Sequence, residues 1–77
     1  MELTELVEKK IDECASRIVS GGTRTDEVTV GKLAFYLALR RVQQNKATTS
    51  DIGLMDAIND TLQALALVDK GRTFYKT

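Results

Sequence analysis

Apolar residues recur along this chain in three stretches, each at helical spacing, with polar stretches between them. In the first, Leu3, Val7, Ile11, Cys14 and Ile18 follow one another at intervals of three and four, while Glu5, Glu8, Lys9, Asp12, Glu13 and Ser16 occupy the rest of the wheel. The spacing predicts an amphipathic helix over 3–20 with one narrow apolar stripe. Gly21-Gly22 supplies the positive-φ conformation on which helices often close, and Thr23-Arg24-Thr25 reads as a linker.

The second stretch predicts a helix over 26–45, capped by Thr25 in preference to Thr29, with Asp26 and Glu27 favourably placed in the first turn. The alternation in Glu27-Val28-Thr29-Val30 also fits a short strand, but no second strand exists to pair with it. At 100° per residue, Val30, Ala34, Phe35, Leu37, Ala38, Leu39 and Val42 spread over roughly 200°, about twice the minimum stripe of a surface helix. Such a helix needs cover on two sides. Gly31, Ala34 and Ala38 lie in the middle of that arc, where a neighbouring backbone can come close.

The third stretch predicts a helix over 51–70, capped by Thr49, Ser50 or Asp51 and closed by Gly71. Leu54, Met55, Ile58, Leu62, Leu65 and Val68, extended by Ala57, Ala64 and Ala66, form its apolar arc. Asp56, Asn59, Asp60 and Gln63 form the opposite face, onto which Leu67 falls out of pattern. The tail, 71–77, carries Phe74 and Tyr75. These two either fold back over the end of the bundle near Leu67, the preferred reading, or join Leu67 in anchoring a protein partner.

The expected fold is therefore all-α: one domain over 1–77, a compact three-helix bundle with a short C-terminal tail. Length changes that picture, because 77 residues enclose only a marginal core. With a single cysteine and no histidine, neither a disulfide within the chain nor a Cys/His zinc site can staple it. Oligomerisation is the remaining source of burial. The expectation is a homo-oligomer, most simply a two-fold dimer, joined through Gly31, Ala34 and Ala38 or through Ala57 and Ala64.

Formal charge is zero overall but polarised: residues 1–20 carry −2, 21–46 carry +3, 47–69 carry −4 and 70–77 carry +3. Arg40, Arg41 and Lys46 form one basic patch with Lys70, Arg72 and Lys76 if those segments lie on the same side of the bundle. Nucleic acid bound through phosphates is accordingly the second reading of function. The third helix opens on aspartate, which disfavours it as a base-reading helix.

Candidate chemistry adds little. Without histidine, the usual serine and cysteine catalytic arrangements are excluded, and there is no phosphate-binding glycine loop or dinucleotide fingerprint. No catalytic residue, cofactor or metal is expected; Asp56, Asn59 and Asp60 read as a solvated face, and Cys14 as a buried thiol within the apolar stripe. The longest apolar run, Leu33 to Leu39, is too short to span a membrane, so the expected location is the cytoplasm. The function expected is a non-enzymatic protein-interaction module: an adaptor, assembly factor or regulator acting on itself and on another protein.

Overall fold

The computed structural model describes residues 2–20 and 23–75, with the side chains of 19–20 and 23–26 excepted. It holds three helices, α1 (Leu3–Ser20), α2 (Thr23–Gln43) and α3 (Thr49–Ala64), in a bundle-like arrangement, and no strand occurs among the described residues. The Gly21-Gly22 connection and Lys76 lie outside the described residues.

α1 and α2 pack as an antiparallel pair. Arg40 Nη1 donates to both carboxylate oxygens of Glu8 at 3.3 Å, and one turn further along Gln43 Nε2 donates to Thr4 Oγ1 at 3.4 Å, which fixes the register. The α1 stripe faces inward, with Val7 and Cys14 buried and Leu3, Ile11 and Ile18 half-buried. α2 begins at Thr23, earlier than the sequence reading placed it, and takes in both the Thr-Arg-Thr linker and the stretch with strand-like alternation. No Gly or Pro interrupts residues 23–30, and the Thr, Arg, Asp, Glu and Val found there each cost a helix at most about 0.7 kcal/mol. Packing against α1 decides the outcome: Thr29 is buried between Val28 and Val30, which stay exposed.

α2 closes at Gln43 on a left-handed Asn45 (φ 58°), with Lys46 N–H donating to Arg41 O at 2.8 Å and Asn45 N–H to Val42 O at 3.2 Å. This pair of bonds satisfies carbonyls that a helix end leaves unpaired. α3 then starts two residues before the expected Asp51, and its cap is Thr48 rather than Thr49, Ser50 or Asp51. Asp51 N–H donates to Thr48 Oγ1 at 3.1 Å and Thr48 N–H to Asp51 Oδ2 at 3.0 Å, so each residue satisfies the other's backbone.

The third helix is shorter than expected. It ends at Ala64, because Ala66 turns left-handed (φ 59°) and lets Leu67 N–H reach Leu62 O at 2.9 Å. Leu67 is thus beyond the helix, which removes its apparent misplacement on a polar face. Gly71 (φ 87°) shapes a second turn, closed by Arg72 N–H donating to Asp69 O at 3.1 Å. That turn sends the tail back along α3.

The core sits at one end of the helical pair. Val7 of α1, Ala38 and Leu39 of α2, Met55 of α3 and Tyr75 of the tail form it, with Leu3, Ile11, Phe35, Val42 and Phe74 packed around them. The molecule measures 41 × 27 × 24 Å, and its radius of gyration is 13.7 Å, against about 11.5 Å for a typical domain of this length.

Candidate interaction surfaces

Four features carry chemistry beyond simple packing, beginning at the α2–α3 corner. Arg41 Nε donates to Asp51 Oδ2 at 2.7 Å and Arg41 Nη2 to Asp51 Oδ1 at 2.8 Å, a two-pronged pair on a carboxylate that is itself buried. The guanidinium, with help from the Thr48 N–H, holds the Asp51 carboxyl far below the ordinary carboxylate range against the opposing effect of burial. The same hydrogen bonds push Arg41 up. Arg40, on the neighbouring side of α2, is directed to Glu8.

At the tail, the polar face of α3 stays exposed at Asp56 and Asp60 but is covered at Asn59. Asn59 is buried; its Nδ2 donates to Arg72 O at 3.0 Å and its Oδ1 accepts from Phe74 N–H at 2.9 Å. Gln63 Nε2 also donates to Arg72 O, at 2.8 Å, and Tyr75 Oη donates to Asp56 Oδ1. The Asp56 bond, supported by burial and by the charge of Asp60, raises the Tyr75 phenol above its ordinary value. Phe74 and Tyr75 meet edge to face at 5.3 Å. The tail therefore folds back, which puts Tyr75 in the core instead of on a partner-binding surface. Leu67 remains 70% exposed and shares with Phe74 an open hollow of about 440 Å³.

The basic residues differ in their surroundings. Arg40 and Arg41 each face an acid of this chain, whereas Lys46 is exposed and takes part in no ion pair among the described residues. The Arg72 backbone lies over Asn59 and Gln63, some 12–18 Å along α3 from Asp51 at 1.5 Å per residue.

The small residues expected at an oligomer interface are divided. Ala38 is buried by this chain's own α3 and tail, while Gly31 and Ala34 on α2 and Ala57 and Ala64 on α3 are exposed. A Cβ built on Gly31 meets nothing within 4 Å. Gly31 lies instead on the wall of an open groove of about 1070 Å³ between α1 and α2. Cys14, Thr29, Phe35 and Tyr36 line it too, and Lys9, Lys10, Arg17 and Lys32 stand around them with Asp12 and Glu13. Lys10 pairs with Glu13 at 3.4 Å, whereas Lys9, Arg17 and Lys32 enter no ion pair among the described residues.

Neither the groove nor the two polar clamps follows from the apolar spacing along the chain. The Thr48-x-x-Asp51 spacing is a capping-box signal and was legible. Asn59 and the groove carried none, since each depends on what the tail and α3 cover. Among the described residues no cluster of His, Cys, Asp or Glu is arranged to hold a metal ion, and no helix is long and apolar enough to cross a membrane. Comparison with protein-family models, with curated proteins and with solved structures finds no match to this chain.

Proposed function

We propose that this protein is a non-enzymatic helical interaction module that works as a homo-oligomer, most simply a two-fold dimer, and regulates or assembles a further protein. The observation that carries this reading is its surface. The chain exposes 5577 Å², whereas a folded monomer of 8.5 kDa typically exposes about 4650 Å². The excess, about 900 Å², matches the roughly 800 Å² that one partner contributes to a standard protein interface. Leu54 and Leu65, on one side of α3 and its cap, are among the large apolar residues left exposed.

Binding to nucleic acid has less support, because Arg40 and Arg41 are engaged by Glu8 and Asp51. Co-expression of a tagged and an untagged copy tests the proposal. Retention of the untagged copy through a high-salt wash is the expected result, since apolar association withstands salt. Its loss at every salt concentration overturns the reading.

A further inference from the structure

We infer that the groove between α1 and α2 receives the outer face of α3 from a second copy of this chain. The inference rests on the self-association proposed above and specifies its geometry. In the folded chain, α3 and the tail pack against the α1–α2 seam around Val7, Ala38 and Leu39. Seven residues along each helix, two turns or about 10 Å away, the same seam presents Cys14 and Gly31. There no helix of this chain covers it, and the groove of about 1070 Å³ lies open.

Three features match this groove to α3. The groove wall at Gly31 has no side chain and nothing close to where a Cβ would stand, so a helix can approach the backbone of α2. On the outer side of α3, Leu54, Ala57, Thr61, Ala64 and Leu65 are exposed along one stripe, with two leucines to insert and alanines to permit that approach. Charge agrees as well: Lys9, Arg17 and Lys32 at the groove enter no ion pair among the described residues, and neither do Asp56 and Asp60, the exposed acids of α3.

Thr29 also lines the groove, with only 3% of its surface exposed. A reciprocal pair, each α3 in the other's groove, closes a two-fold dimer and buries the excess surface of both copies.

The test uses two variants of the full chain, Gly31→Phe to fill the groove and Ala64→Arg to block the outer face of α3, each checked for unchanged helicity. Lys32→Glu serves as a second groove variant. Each alone should raise the dimer dissociation constant by about tenfold or more. Mixing the Gly31→Phe and Ala64→Arg chains should then give a heterodimer tighter than either variant forms with itself, because one intact groove meets one intact α3. Weakening without rescue on mixing overturns the groove–α3 pairing in favour of a face that meets itself. Variants that dimerise like the parent overturn the pairing but leave self-association standing, and a parent chain that is monomeric overturns both.

Discussion

Arg41 and Asp51 stand ten residues apart and meet through two hydrogen bonds of 2.7 and 2.8 Å across the turn between α2 and α3. The same carboxylate accepts the Thr48 N–H, so one buried side chain closes the cap of α3 and fastens that helix to the end of α2. Removing Asp51 should therefore loosen the attachment of α3 as well as its first turn.

The linkage has a definite sign. Because the Asp51 carboxyl is held below its ordinary value of 3.8, its contribution to stability is complete above about pH 4 and declines as pH falls from there through the depressed folded value. Urea unfolding of the parent chain and of Asp51→Asn, followed from pH 7 to pH 2, should show a smaller acid loss in the variant. Equal acid losses would mean that Asp51 is not the linked group.

A complementary effect belongs to Tyr75. Its phenol is raised above the ordinary 10.0, so the folded state holds that proton more tightly than the unfolded chain does. The stabilisation is complete below about pH 10 and is lost as pH rises through the raised value. Phenolate absorbance should show one tyrosine ionising late, and Tyr75→Phe should remove that late step. The variant also loses the hydrogen bond to Asp56, at a cost of about 1 kcal/mol.

Helix ends give a test of backbone conformation. Ala66 is left-handed without being glycine, so Ala66→Gly should stabilise the chain by about 0.5–1 kcal/mol. Gly71→Ala places a Cβ on a residue with φ 87° and should destabilise it by about 1 kcal/mol. In a domain of this size, thermal melts should rise by about 2–8 °C for Ala66→Gly and fall by about 4–8 °C for Gly71→Ala.

These ends also show what the sequence could and could not convey. The α1 stripe was legible because its apolar spacing alone determines which face turns inward. The end of α3 was not, since Gly71 is the more obvious stop and nothing local marks Ala66 as left-handed. The arc of α2 implied two-sided cover, and α1 and α3 cover only part of it. Asn59 read as solvated because its role is set by a tail that returns from 13 residues away.

Asn59 tests that return directly. Asn59→Ala leaves the Phe74 N–H without its acceptor and takes one of two donors from Arg72 O, which should cost about 1–3 kcal/mol. Exchange of the Phe74 amide with solvent deuterium should quicken more than exchange in α1. Unchanged protection at Phe74 would show that the clamp does not hold the tail.

The central claim, that the uncovered surface serves self-association, is tested most directly by sedimentation equilibrium of the intact chain over a wide concentration range. The expected result is a mass that rises reversibly from 8.5 kDa towards twice that value as concentration increases. A mass fixed at 8.5 kDa across the range would contradict it.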